Sequence, residues 1–403
     1  MEAYLLDWAN LLMRWLHVIV GIAWIGASFY FVMLDNSIRP SKKDEDKKRG
    51  VHGELWAVHG GGFYHSQKFL TGPKDEPLSK NLHWSYWEAY STWLSGMGMM
   101  LIIYWIGAKS YLIDNSVMEL TSTQAISISI GFIALSWIVY DQLCRYLEGR
   151  DKLLAGLVFV LIIAIDYALF QIFSARAAYL HVGAIMGTMM VANVAMRIIP
   201  GQRRMVAQIR AGEPVDGRPG IIGKQRSVHN TYFTLPVLFI MISTHYPMTF
   251  SHEKGWLVLA VIMLAGVFIR QFFVLKHQGK KVWLYPVFGV ALLVALIIAM
   301  APNTYKSPMP EKVDPNAPVI SAVSDADVLA IVQTRCAMCH AANPNYPGFY
   351  APPKGIILET PEQLEQHAAL VASTIASKYM PLANLSKMTD EERAKIAFWA
   401  AEQ

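Results

Sequence analysis

The chain has 403 residues, of which 54% are hydrophobic and 16% are charged. Soluble domains carry about 25% charged residues, so this composition excludes an ordinary soluble domain and favours a protein with long apolar segments. Three cysteines are too few for a disulfide-stabilised scaffold. The net charge of +5 is modest, and the dense charged run at 42–49 mixes both signs, so we predict no nucleic-acid binding.

Eight apolar segments recur along the first 301 residues, and each approaches the roughly 20 residues that a membrane-spanning helix requires. They cover residues 8–34, 85–107, 123–141, 153–173, 177–199, 229–246, 256–275 and 282–301. The first lacks a basic n-region and a small-residue cleavage site, so we interpret it as a spanning helix and not as a signal peptide. The sequence therefore predicts an all-α fold in which residues 1–301 form a polytopic bundle of about eight transmembrane helices.

The connections between these segments differ in charge on the two sides of the predicted membrane. Those after the first, third, fifth and seventh segments carry 23 Lys and Arg, whereas the opposite connections carry three. Basic connections stay in the cytoplasm. We therefore predict a multi-pass protein whose N-terminus and C-terminal region lie on the outer side.

A separate polar domain follows the last apolar segment. Five prolines between residues 302 and 318 indicate an extended linker, which we assign to residues 302–320. From residue 306 onward the chain carries eight Lys and Arg against eleven Asp and Glu, so this part is acidic. Residues 321–403 are predicted to form a second domain with a capped amphipathic helix near each end.

The second domain contains Cys336-Ala337-Met338-Cys339-His340, the C-x-x-C-H signature of c-type haem attachment. Two thiols on one helical turn can form thioethers with the haem vinyl groups, and the adjacent histidine can bind the iron. The alternatives are a redox dithiol and half of a zinc site, but the sequence offers no second Cys/His pair for zinc. We predict one covalent haem c held by Cys336, Cys339 and His340.

A second axial ligand is expected downstream of this motif. Tyr379-Met380-Pro381 places a methionine about 40 residues further on, and a thioether ligand raises the haem potential. We predict Met380 as the ligand, with Met388 as the alternative. On these residues the C-terminal domain resembles a monohaem class I cytochrome c.

Histidines within or near the apolar segments are candidates for haem binding, because ionisable groups are costly inside a membrane. His17 and His181 lie at similar depth, so we predict that this pair holds a haem b between helices. His245 could replace either ligand. His83 and His229, on the cytoplasmic side, could hold a second haem b or bind substrate.

The first basic connection holds a cluster of histidine, aromatic and glycine residues. His59 and His65 flank Gly60-Gly61-Gly62, and histidine can transfer protons near neutral pH. The glycines either allow close approach of a planar ligand or serve only to turn the chain. We predict catalytic roles for His59 and His65, together with Glu88 at the start of the second segment, His83 and His229.

Several longer runs resemble the bacterial membrane-bound cytochrome c urate oxidase (PuuD-type urate hydroxylase) family over essentially the whole chain. The runs are Trp15-Leu16-His17-Val18, Trp24-Ile25-Gly26, Val58-His59-Gly60-Gly61-Gly62-Phe63-Tyr64, Trp84-Ser85-Tyr86-Trp87-Glu88-Ala89-Tyr90 and His229-Asn230-Thr231-Tyr232-Phe233-Thr234-Leu235-Pro236. The resemblance implies an eight-span urate oxidase domain in the bacterial inner membrane, joined to a periplasmic cytochrome c.

The same resemblance implies oxidation of urate to 5-hydroxyisourate, with the hydroxyl oxygen taken from water. The electrons would pass through the fused haem c to a soluble cytochrome c or a terminal oxidase, and hydrogen peroxide need not form. A cytoplasmic urate site would require a haem b relay across the membrane, whereas entry from the periplasm would not. The alternatives are a quinol-oxidising cytochrome subunit and a tethered electron carrier without enzymatic activity.

Overall fold

The computed structural model describes residues 2–74, 76–301, 323–346, 349, 352–376 and 378–401. The predicted linker at 302–320 lies outside these residues. The chain up to residue 301 is built mainly from long helices. They are α1 (Glu2–Ser37), α2 (Asp44–Arg49), α3 (Trp87–Met99), α4 (Ser122–Tyr146), α5 (Asp151–Phe170), α6 (Ala175–Asn193), α7 (Ile199–Ala211), α8 (Arg218–Ser243), α9 (Pro247–Phe250), α10 (Gly255–His277) and α11 (Leu284–Ala299).

All eight predicted apolar segments are helical over most of their length. Among the described residues, five helical stretches are long and apolar enough to cross a membrane, and α11 is apolar but shorter. The five are Trp8–Ser37, Ser122–Tyr146, Asp151–Phe170, Ala175–Ala211 and Gly255–His277. The second predicted segment continues from α3 into π-helical turns at Met100–Ile106. The architecture is therefore mostly helical and compatible with a membrane protein.

The all-α prediction is wrong in the first basic connection, which folds as a β-hairpin. Strands β1 (Val51–His59) and β2 (Gly62–Phe69) pair antiparallel, with His59 opposite Gly62. Gly60 and Gly61 have φ values of 59° and 80°, and a two-residue hairpin turn requires positive φ at both central positions. Of the two interpretations of these glycines, the structure supports the one in which they turn the chain.

Helix α6 lies at the centre of the bundle, and α1 lies at its edge. In the candidate span that starts with α6, 61% of the residues are buried, against 6% in the span of α1. A glycine lets α8 approach α6 closely, because a Cβ on Gly183 would lie 2.7 Å from the side chain of Ile240. Such close packing at small residues is typical of helices that associate in a membrane.

The C-terminal residues form a smaller helical unit with its own core. Its helices are α12 (Asp325–Arg335), α13 (Ala337–His340), α14 (Pro361–Gln366), α15 (Ala368–Ala376) and α16 (Asp390–Ala401). Val328, Val332 and Ile396 are fully buried at its centre. Ser324 caps α12 by accepting a hydrogen bond from the Asp327 N–H at 3.2 Å, so the capped helix predicted at this position is confirmed.

The C-terminal unit contacts one end of the bundle. We call the end that carries the basic connections the basic end, and the opposite end, formed by residues 113–121, 171–174 and 244–254, the far end. Phe250 meets Tyr379 with ring centroids 5.9 Å apart, and Tyr111 meets Phe349 at 6.5 Å. The C-terminal unit therefore lies against the far end.

An ion pair joins α12 to α16 in the C-terminal unit. The Arg335 guanidinium donates to both carboxylate oxygens of Glu392 at 2.9–3.1 Å and holds the pKa of this carboxyl below its usual range. We expect Glu392→Gln to lower the free energy of unfolding of this unit by about 1–2 kcal/mol at pH 7. Hydrogen–deuterium exchange of the peptides that cover α12 and α16 measures this difference.

The pH dependence follows from the lowered pKa. The ion pair stabilises the fold fully above the ordinary glutamate pKa of about 4.3, and its contribution is lost as the pH falls through the lowered value. The variant and the wild type should therefore converge in acid. Glu391→Gln is the matched control, because Glu391 forms an exposed pair with Lys395 and should change stability by less than about 0.5 kcal/mol. Equal effects of the two variants would contradict the prediction.

Candidate functional site

The C-x-x-C-H motif lies where α12 ends and the single turn of α13 begins. Cys336 and Cys339 form no disulfide, and both are partly buried. In the described residues no group of three or more His, Cys, Asp or Glu is arranged to hold a metal ion. The haem c assignment of this motif and its dithiol and zinc alternatives stay predictions.

His340 is oriented by the backbone. Its Nδ1 lies 2.9 Å from the Ile356 carbonyl oxygen, so the proton resides on Nδ1 and the lone pair of Nε2 is available for a metal ion. Burial lowers the pKa of His340, which keeps the imidazole neutral near pH 7. A metal-binding histidine is commonly held through its other nitrogen in this way.

Met380 and Met388 differ in their surroundings. Met388 is 3% exposed within the core of the C-terminal unit, and its backbone N–H donates to Asn384 Oδ1 at 3.0 Å. Met380 and Cys336 are only partly buried and both pack against the edge of that core. The buried Arg393 donates to the Met380 carbonyl at 2.7 Å and fixes this loop. The donor set Cys336, Cys339, His340 and Met380 thus fits the predicted haem c better than one with Met388.

His181 is fully buried in α6, and both of its ring nitrogens have protein partners. Nδ1 lies 2.7 Å from the Ala177 carbonyl, and Nε2 lies 2.7 Å from Ser129 Oγ on α4. The Trp105 indole N–H donates to the same hydroxyl at 3.0 Å. His181 would have to give up the Ser129 hydrogen bond to bind a haem.

His17 has partners on a different helix. Its Nδ1 lies 3.0 Å from both the Thr92 carbonyl and Ser95 Oγ on α3, and its ring packs on Gly96. His17 contacts α3 and His181 contacts α4, so the two histidines share no bonding partner among the described residues. His245 is exposed at the far end. The haem b ligands stay predictions.

The predicted catalytic residues of the hairpin also have their own partners. His65 pairs with Glu54 at 2.7 Å and stacks on Trp56 with ring centroids 4.2 Å apart. His59 is exposed at the tip of the hairpin.

Three predicted catalytic residues lie outside the hairpin. His83 is exposed in the loop before α3, and Glu88 is half-buried in the first turn of α3. His229 lies in α8, and its Nδ1 forms a hydrogen bond of 2.8 Å with the Tyr140 hydroxyl. No hydrogen bond among the described residues joins His229 to the hairpin histidines, and the catalytic roles of all five residues stay predictions.

His229 belongs to a buried polar network near the basic end that the sequence analysis missed. Tyr140 accepts a hydrogen bond from Asn193, which also binds Asn230, each at 2.9 Å. Arg226 is 2% exposed and donates to Asp141 at 2.8 Å. Arg197 and Arg145 also pair with Asp141. Three cations thus share one carboxylate, and the network carries a net positive charge.

A signal for this network was present in the sequence. Asp141 and Asn193 stand near the ends of apolar segments, where polar groups require a partner. Arg197 and Arg226 fall in a basic connection, and the sequence analysis counted them as solvated charges that set the orientation. Their side chains instead point into the bundle because Asp141 offers them a counter-charge.

A cleft lies between the far end and the C-terminal unit. It is partly open to solvent and is lined on the bundle side by Tyr111, Asp114 and Arg176. Lys378 and Tyr379, next to Met380, line the opposite wall. The cleft is therefore the place where the bundle and the loop that carries Met380 face the same space.

The bundle and the hairpin match a known family. The family described as urate oxidase N-terminal matches residues 3–301. The chain belongs to the urate oxidase N-terminal family. No curated protein and no solved structure matches the chain.

The family match separates the functional elements into two groups. The urate oxidase N-terminal region includes the hairpin, the buried network and the bundle wall of the cleft. It ends before α12, so the C-x-x-C-H motif and Met380 lie outside it. Family membership supports an oxidoreductase that acts on urate, and the bundle is where urate chemistry is to be sought.

Proposed function

We propose that this chain is a membrane-bound urate oxidase that passes electrons from urate to a haem c in its own C-terminal unit. The observation that carries the proposal is the joining of a urate oxidase N-terminal region to a C-x-x-C-H motif whose histidine has a free Nε2. The family match favours urate over a quinol as the electron donor. The same family match gives no support to the alternative of a tethered electron carrier without enzymatic activity.

The reaction balances without molecular oxygen. Urate and one water give 5-hydroxyisourate, two protons and two electrons. The new C–O bond forms between C5 of urate and the water oxygen. A covalently bound haem supplies a one-electron acceptor, so each urate requires two successive transfers and a partner that removes electrons between them. A soluble cytochrome c or a terminal oxidase serves as that partner, and peroxide is not a product.

The residues of the C-terminal unit supply the haem site. Cys336 and Cys339 would hold the haem through thioether bonds, and His340, through Nε2, and Met380 would bind its iron. The carbonyl of Ile356 keeps the His340 ring in one tautomer and orientation. On this assignment, residues 321–403 are a class I cytochrome c domain.

The placement in the membrane follows the charge distribution. The basic connections lie in the cytoplasm, and the C-terminal unit lies in the periplasm, where haem is attached covalently. The contact of this unit with the far end supports the arrangement, since the far end carries few basic residues. We assign the protein to the bacterial inner membrane on this basis.

The axial ligand is testable by its redox potential. We expect Met380→Ala to keep the haem covalently attached and to lower its reduction potential by on the order of 100 mV, because axial ligands set haem potentials over a range of about 0.8 V. Met388→Ala, at the alternative position, should destabilise the core and leave the potential close to that of the wild type. Redox titration of both full-length variants distinguishes them, and an unchanged potential in Met380→Ala would remove Met380 as a ligand.

The oxidase activity is tested with the purified full-length protein under anaerobic conditions, with soluble cytochrome c as the acceptor. We expect consumption of one urate for every two cytochrome c molecules reduced, and isotopically labelled water should supply the oxygen of the product. Urate consumption that requires oxygen and yields stoichiometric hydrogen peroxide would overturn the proposal.

A further inference from the structure

The strongest unexplained feature outside the buried network is the group of cations at the cleft. Arg176, in the first turn of α6, lines the cleft, and its guanidinium lies 5.6 Å from the centre of the Tyr111 ring. Arg14 on α1 is close enough to Arg176 for the two charges to repel each other. No carboxylate among the described residues forms an ion pair with either arginine.

One buried nitrogen of Arg176 is unsatisfied. Among the described residues, Arg176 Nε has no hydrogen-bond partner, whereas the Tyr104 hydroxyl interacts with the guanidinium itself. Tyr104 is 2% exposed, and its hydroxyl lies beside the Arg176 guanidinium. A buried donor without a partner costs free energy, and two like charges in one place add to that cost. An anion bound at this position would relieve both costs.

The other groups of the cleft suit a flat anion with N–H donors. Tyr111 and Tyr379 line the cleft and offer aromatic surface. Asp114 accepts hydrogen bonds from the Ser116 N–H and hydroxyl through Oδ1, so the remaining carboxylate oxygen can accept from a ring N–H. Lys378, on the opposite wall, is paired with Asp390 at 3.2 Å.

We infer that this cleft is the binding site for the oxopurine anion, with Arg176 as its main electrostatic partner, and that oxidation occurs against the loop that carries Met380. The inference rests on the proposed function and gives it a location. Urate bound between Tyr111 and Tyr379 lies beside the predicted haem ligand. The electrons then need not cross the membrane, and no relay through His17 and His181 is required.

Binding is measured apart from turnover. In full-length protein reduced with dithionite, urate has no electron acceptor, so equilibrium dialysis reports affinity alone. We expect Arg176→Gln to weaken urate binding by about 10- to 100-fold, as loss of a charged hydrogen-bonding partner does. Arg176→Lys should weaken it less, because lysine keeps the charge but not the planar fork. In the oxidised protein, Arg176→Gln should raise KM by a similar factor.

Lys109→Gln is the matched control, because Lys109 is an exposed cation at the same end of the bundle and does not line the cleft. It should bind urate as the wild type does. Unchanged affinity in Arg176→Gln, in protein that urate still reduces, would overturn the site but not the proposed function. If the wild type binds urate and is never reduced by it, the proposed function fails and the site stands.

The side of the membrane on which urate acts provides a second test, which holds even if Arg176→Gln does not fold. The urate anion crosses a lipid bilayer poorly, so sealed vesicles of opposite orientation expose opposite ends of the protein. We expect added urate to reduce the haem in right-side-out vesicles and to require detergent in inverted ones. Reduction in inverted vesicles alone would place the site at the basic end and contradict the inference.

Discussion

Replacement of His340 by alanine is expected to abolish urate-dependent electron transfer. The Ile356 carbonyl holds the imidazole with Nε2 free, and His340 is the histidine directly adjacent to Cys339. Removal of an outer-shell partner of a metal ligand already costs about 10- to 100-fold, so loss of the ligand itself should cost at least that much. Haem content and the rate of cytochrome c reduction by urate measure the effect.

His367→Ala is the matched control for this variant. His367 lies in the same unit, between α14 and α15, and is half-buried like His340. It should retain both the haem and the activity. If His340→Ala oxidises urate at the wild-type rate with soluble cytochrome c, the C-terminal unit does not carry the electrons. The proposed transfer of electrons to a haem c in this unit would then be wrong.

Asp141→Asn is expected to give the largest loss of stability in the bundle. Asp141 is the carboxylate that pairs with Arg226 at 2.8 Å, and the Arg226 side chain is 2% exposed. Without it, a cation stays buried among neutral groups, which costs about 3–5 kcal/mol. The midpoint of thermal unfolding in detergent, followed by size-exclusion chromatography, measures this loss.

Arg145→Gln provides the comparison for Asp141→Asn. Arg145 binds the same carboxylate at 3.0 Å but is 53% exposed, so its removal should cost less than about 1 kcal/mol. The prediction therefore depends on burial and not on the number of ion pairs. Similar thermal midpoints for the two variants would show that Arg226 does not depend on Asp141.

The helices of the bundle could be predicted from the sequence because runs of apolar residues leave few other conformations. Each of the eight predicted segments is helical over most of its length, and the acidic residues Asp325 and Asp327 before an apolar stripe indicate the start of α12, where the structure adds Ser324 as the cap. The hairpin could not be predicted in the same way. Leu55-Trp56-Ala57-Val58 is apolar throughout and lacks the alternation of a half-buried strand, and the Gly60-Gly61 turn alone does not define two strands.

The cleft and the buried network escaped prediction for a different reason. Both depend on residues that are distant in sequence and meet only after the bundle forms, such as Asp141 with Arg226 and Tyr111 with Tyr379. The charge of a connection indicates orientation, and nothing in the sequence distinguishes Arg176, which lines the cleft, from a solvated cation. The C-x-x-C-H motif could be identified from the sequence because its residues are neighbours in the chain, so their proximity does not depend on how the chain folds.

The most direct test of this account is the visible spectrum of the oxidised full-length protein, recorded anaerobically before and after urate is added. We expect a reduced c-type spectrum with urate alone, with two haems reduced for each urate consumed. Reduction by dithionite but not by urate would contradict the account and direct attention to quinols as the electron donor.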